Sequence, residues 1–376
     1  MPIQQYRYIV EIYRGENELI DQAPASVEWN AALEWTWLEG LRRGDLQVTD
    51  GTRSSAIVPL WHPRLDEPYA TGFRVTILAE RGRGISEEFS TEYFKDAVNA
   101  ATRRLLDEGR LDSRDDVRYL VLALFAEDHA RAGPTSPFTI REAPPDLTLG
   151  DSRLADVTAG ATRVLASTTP TATDGEGVPM VFPRSVLEEA GDATRRSRDR
   201  ETGGVLIGHL HRDPDRSDLF VEVTAQIPVV HAPADVNTLT FTPETWTAVQ
   251  AAVDLRRRNE ILLGTWHSHP VLEWCKDCPR EKRDLCSFAQ GFLSAEDRRL
   301  HRTVFPKAYT CSLVVSNVAE DRDLVQTLFG WHRGLIKRRG YYVVEDDRRH
   351  APHGAAPHDV TAKTQARTST TKPSGG

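Results

Sequence analysis

The segment Ile261-Leu262-Leu263-Gly264-Thr265-Trp266-His267-Ser268-His269-Pro270 decides the reading of this chain. Its apolar start, Ile261 to Leu263, reads as a buried strand. Side chains alternate along a strand, so His267 and His269 share one face while Trp266 and Ser268 share the other. Two imidazoles side by side at a strand end offer two of the three protein ligands that a catalytic zinc takes. Taken alone, the pair reads equally well as surface histidines.

Two distant stretches complete the set. Downstream, Ser294-Ala295-Glu296-Asp297 offers a carboxylate as a third ligand, although the same spacing outlines a helix capping box. Upstream, Glu201 opens ETGGVLIG and is a candidate general base, or simply the residue that enters a strand. Gly203-Gly204 inside a strand weakens it locally and marks close approach by another backbone or a ligand.

A Glu leading a Gly-Gly strand, then G-T-W-H-S-H-P, then S-x-x-D, resembles the JAMM (JAB1/MPN/Mov34) metalloprotease family over roughly Val178 to Val344. The resemblance implies an α/β sandwich around a central mixed sheet. It implies a catalytic Zn2+ held by His267, His269 and Asp297, with Glu201 moving the proton. Ser294 would bond the oxyanion or the zinc-bound water. The implied activity is that of a bacterial deubiquitinase-like isopeptidase, cutting after the C-terminal glycine of a ubiquitin-like protein or its conjugate. E1-like and E2-like proteins of a ubiquitin-like conjugation system, including anti-phage defence, are the implied partners. Two other classes compete: a non-catalytic MPN scaffold and a RadC-like protein associated with DNA repair. The RadC pattern usually continues H-N-H-P-S-G, whereas His269-Pro270 here leads to Val271-Leu272.

The chain departs from the common family pattern between the second histidine and Ser294. Residues Val271 to Leu293 intervene and contain Cys275-x-x-Cys278 and Cys286. Three cysteines in one insertion suggest a second, structural zinc, with Cys311 or His301 as candidate fourth ligand. Cys311 fits a buried core thiol equally well. An iron–sulfur cluster, a redox pair and free thiols are the alternatives.

Bulk properties narrow the class. The 376 residues are long for one core and suggest two domains. Hydrophobic content of 39% and charged content of 27% fit a globular protein. A net charge of −8 argues against nucleic-acid binding. No apolar run is long enough to span a membrane, and the start MPIQQYRYIV shows no signal pattern. Four cysteines do not make a disulfide framework, so the cytoplasm is the expected compartment.

The expected organisation has four parts. Residues 1–145 read as a smaller α+β domain of unknown role, with strands at Tyr6–Tyr13, Ala56–Trp61, Gly72–Leu78 and Val117–Phe125. Its helices fall at Val27–Arg43 and Phe89–Glu108. Trp29 and Trp37 read as core, and His62 and His129 as structural. Residues 146–177 read as a linker with one short helical piece near Ala155–Leu165. Residues 178–345 form the JAMM-like domain, with insertion 271–293, and 346–376 a disordered tail whose His350, His353 and His358 belong to floppy polar chain.

Overall fold

The computed structural model describes residues 3–4, 6–50, 52–63, 68–79, 83–125, 147–166, 177–197, 199–216, 218–229, 241–279, 291–318 and 323–346. His129, Cys286, the three tail histidines and the expected tail beyond residue 346 lie outside them.

The N-terminal part runs β1 (Ile3–Gln4), β2 (Tyr6–Arg14), β3 (Glu18–Pro24), α1 (Asn30–Arg43), β4 (Thr52–Trp61), β5 (Ala70–Ala79), β6 (Gly84–Ser90), α2 (Lys95–Asp107) and β7 (Val117–Phe125). Among the described residues its strands form two sheets, ordered β1-β4-β5-β6 and β3-β2-β7. The expected helix over Phe89–Glu108 begins later. Phe89 and Ser90 close β6, a 3-10 turn spans Thr91–Phe94, and the α-helix starts at Lys95. Phe89 stacks on Phe73 across the β5–β6 pair at 5.0 Å between centroids, so packing overrides helical periodicity there. Trp29 is a core residue of this part, as expected, whereas Trp37 is half-buried against that core; Trp35, which the spacing did not single out, is buried.

The remainder runs β8 (Leu149–Asp151), α3 (Leu154–Val157), β9 (Thr162–Val164), β10 (Met180–Pro183), α4 (Arg184–Ser197), β11 (Gly203–Asp213), β12 (Asp218–Pro228), α5 (Pro243–Arg256), β13 (Ile261–His269), α6 (Val271–Trp274), α7 (Ala295–Val304), β14 (Cys311–Ser316), β15 (Val325–His332), β16 (Leu335–Arg339) and β17 (Tyr341–Val344). These strands make one mixed sheet, ordered β16-β15-β14-β13-β11-β12-β10-β17-β9, with β8 also paired to β11. The segment expected as linker therefore contributes β8 and β9 to this sheet, through Leu210↔Leu149 and Tyr341↔Val164. Their three-residue length leaves too little periodicity to read as strand.

Burial on β11 explains the layering. Leu206 and Leu210 pack in the cluster that holds Val186, Leu187 and Ala190 of α4. Val205 and Ile207 pack in the cluster that holds Val249 of α5. Helices thus cover both faces of the sheet, and β11 is apolar on both. This is the expected α/β architecture. One apolar cluster holds residues of both parts, among them Leu38 and Leu41 of α1 and Leu219 of β12. Arg42–Asp218 at 2.7 Å, Lys307–Glu34 at 2.8 Å and Lys337–Glu92 at 2.9 Å tie the two together.

One glycine is fixed by the sheet. Gly264 has φ +144°, and a Cβ there would meet the Cys311 carbonyl oxygen at 1.7 Å. The β11–β13 register shifts at this point, between Leu206↔Gly264 and Ile207↔Leu262. Without that irregularity the strand would present the wrong face beyond it. Gly264→Ala is therefore expected to lower unfolding free energy by about 2 kcal/mol or more, measured by denaturant titration.

Candidate active site

The site grows from the end of β13. This strand lies between antiparallel β11 and parallel β14, with His267 opposite Gly203 on one side and Val314 on the other. His269 lies opposite Ser316. Both histidines are buried, at 6% and 1% exposure. Their Nε2 atoms converge to 3.1 Å. Gly203 brings no side chain to the face beside His267. Gly204 meets a different demand: its missing Cβ leaves space for the Trp266 indole and the Ile227 carbonyl. Trp266 lies on the opposite face and donates from Nε1 to Gln226 Oε1 at 3.0 Å.

Ser294 and Asp297 form the capping box that their spacing outlines. Ser294 is the N-cap of α7; its Oγ accepts from the Asp297 N–H at 3.1 Å, and Asp297 Oδ2 accepts from the Ser294 N–H at 2.8 Å. The capping reading is realised, and the same Oδ2 lies 3.5 Å from His267 Nε2, which brings it to the imidazole pair. One donor atom from each of His267, His269 and Asp297 falls within 4.8 Å of the others, the one such group of three or more among the described residues. Tetrahedral zinc with bonds of about 2.0–2.1 Å sets its ligand atoms about 3.3 Å apart, so this donor set fits that ion.

Electrostatics agree with the geometry. Burial, with His267 alongside, pushes His269 down to about 3, which keeps it neutral with a lone pair to donate. Burial also works to lower His267, but the Asp297 hydrogen bond and charge, with Glu201, outweigh it and raise it. Burial works to raise Asp297, yet bonds from His267 and Ser294 hold its carboxylate well below the usual range. The negative field that favours a proton on His267 favours a divalent cation among the three donors.

Glu201 is 9% exposed and enters beside the histidines just ahead of β11. Ser268 fixes it there. The Thr202 N–H donates to Ser268 Oγ at 2.9 Å, and the Ser268 N–H donates to the Thr202 carbonyl at 2.7 Å. Ser268 is thus the clasp between the Glu201 segment and the histidine strand.

Two aromatic walls escaped the sequence reading. Trp274 and Phe292 pack on the His269 ring at 5.0 and 4.6 Å between centroids, and on each other at 6.4 Å. They lie near the two ends of the 271–293 insertion, and both pack against His269. Trp274 beside Cys275 was the available signal. Within the insertion the Cys278 N–H donates to the Cys275 carbonyl at 2.9 Å, with Cys275 buried and Cys278 exposed. Among the described residues, neither Cys311 nor His301 joins Cys275 and Cys278 in a ligand-atom group. Cys311 is a core thiol on β14, its pKa pushed up to about 12 by burial. His301 is buried against Phe305 and Trp331. Separately, a cleft of about 470 Å³ lined by residues including Tyr93, Asp96, Arg302 and Trp331 holds none of the candidate groups.

Residues 183–273 match the family profile described as prokaryotic homologs of the JAB domain. That span includes Glu201, His267 and His269 and supports the JAMM resemblance; Ser294 and Asp297 lie beyond it. No curated protein matches the chain. A solution structure of a structural-genomics protein from Desulfitobacterium hafniense aligns at 22% identity over 46% of this chain and 99% of that one, with a TM-score of 0.31. At that score it contributes nothing to the assignment. Among the described residues no helix is long and apolar enough to cross a membrane.

Ser268→Ala removes the acceptor of the half-buried Thr202 N–H and should cost about 1–3 kcal/mol in unfolding free energy. Ser268→Thr, which keeps the hydroxyl, should recover part of that loss in the same denaturant titration.

Proposed function

We propose that this chain is a zinc-dependent isopeptidase that cuts after the C-terminal glycine of a ubiquitin-like protein, in a bacterial conjugation system with E1-like and E2-like partners. The observation that carries the hydrolase reading is the convergence of donor atoms from His267, His269 and Asp297, on separate elements, within 4.8 Å. The substrate class follows from the JAMM resemblance.

Zinc held by these three residues supplies a Lewis acid and lowers the pKa of water to about 7. The protein's own groups do the rest. The Glu201 carboxylate takes a proton from the attacking water and delivers it to the leaving amine, which becomes a free amino group. Ser294 Oγ accepts from the Asp297 N–H, so its own O–H is directed elsewhere, toward the carbonyl oxygen as negative charge develops there. Half-buried Asp297 and buried His269, held by the capping box and the aromatic walls, keep the donor set from spreading between turnovers. We further propose that Cys275 and Cys278, together with Cys286, hold a second, structural zinc.

Linear fusions and isopeptide conjugates of ubiquitin-like proteins, incubated with pure protein, test the activity. His267→Ala and Asp297→Ala should lose both the catalytic zinc and cleavage. Glu201→Gln should keep zinc and lower kcat by about 100-fold or more. A protein that cuts at full rate after complete zinc removal would overturn the reading. In elemental analysis the wild type should carry two zinc equivalents and Cys278→Ser one, with the catalytic equivalent retained. An unchanged zinc count would overturn the cysteine site.

A further inference from the structure

The sheet register sets a row of polar groups across the site. Continuing the Gly203↔His267 register through the Thr202–Ser268 bonds brings Glu201 to one side of His269. On the other side the parallel ladder pairs His269 with Ser316, at the last position of β14. Paired residues of neighbouring strands project to the same face, so the Ser316 hydroxyl stands on the face that carries the imidazoles. The strand ends are locked at this point, since the Asn317 N–H donates to the His269 carbonyl at 3.1 Å.

Both members of the pair carry an unsatisfied atom. His269 Nδ1 and Ser316 Oγ are each buried without a hydrogen-bond partner among the described residues. The residues themselves are 1% and 0% exposed. An orphaned buried polar atom costs on the order of 1–3 kcal/mol, so two on paired residues call for a common explanation. The orientation of His269 supplies one. Its Nε2 points to His267 and Asp297, so Nδ1 is the nitrogen left to face away from the donor cluster. A histidine that ligates through Nε2 must carry its proton on Nδ1, and that N–H needs an acceptor. The neighbouring walls, Trp274 and Phe292, present rings to the imidazole.

We propose that Ser316 is a positioning residue for His269: its hydroxyl accepts the Nδ1–H, through one bridging water or after rotation about its own χ1, and holds the ring with Nε2 toward the metal. The site is polar on both sides of the gap, as a bridging water requires. This rests on the zinc reading above. Ser316 touches neither substrate nor metal and acts through the ring it orients.

The test is zinc affinity of the full chain, measured by chelator competition with zinc alone, beside an imidazole 15N NMR spectrum. Wild-type protein should show His269 with a protonated Nδ1 whose proton exchanges slowly with solvent. Ser316→Ala should bind zinc about 10- to 100-fold more weakly at the catalytic site, with that exchange accelerated. Ser316→Thr, which restores the hydroxyl on a strand-compatible side chain, should recover most of the affinity; it also serves if the alanine variant folds poorly. Zinc affinity and Nδ1–H exchange unchanged in Ser316→Ala would overturn the positioning role and leave the zinc reading intact. A wild type that binds no zinc through His267 and His269 would overturn both.

Discussion

The hydrogen-bonded placement of β13 between β11 and β14 is the constraint on which the rest of the structure depends. Antiparallel pairing on one side sets Gly203 against His267, and parallel pairing on the other sets Ser316 against His269. Because the side-chain period of a strand is two, a slip of one residue would exchange the imidazoles for Trp266 and Ser268. Several features secure the register. Gly264 carries a backbone conformation and a close approach that no side chain tolerates, Trp266 fills the opposite face and bonds Gln226, and Ser268 clasps Thr202.

The capping box is the second economy of the fold. One carboxylate oxygen of Asp297 accepts the Ser294 N–H and faces His267. Helix start and ligand placement are therefore one structural event. A carboxylate that belongs to the first turn of a helix is also favoured by the positive end of the helix dipole. That field, the backbone bond and the histidine together keep it ionised in a largely buried position. A metal-binding carboxylate held this way loses little conformational freedom when its ion arrives.

The placement of three candidate ligands was legible because spacing predicts direction at a strand end and a helix start: His267 and His269 share a face of β13, and Asp297 completes a capping box. Glu201 lies just ahead of β11, where neither rule fixes its direction. What escaped depends on contacts between distant segments. The strands β8 and β9 exist because β11 and β17 offer edges to them, which a Thr- and Ala-rich stretch cannot announce. Phe89 joined a sheet because Phe73 lies opposite. Trp274 and Phe292 wall the site because both pack on the His269 ring from segments eighteen residues apart in the chain, and sequence spacing carries no such information. Cys311 resembled a ligand by type but lies in the core of β14.

The proposed hydrolase requires that His267, His269 and Asp297 hold one metal ion at the buried end of β13. Anomalous diffraction at the zinc edge, from crystals of the full chain, tests it most directly. One strong peak should lie about 2.0–2.1 Å from Nε2 of His267, Nε2 of His269 and a carboxylate oxygen of Asp297, apart from any second peak at the proposed cysteine site. Zinc found only elsewhere, with the two imidazoles hydrogen-bonded to each other in its place, would contradict it.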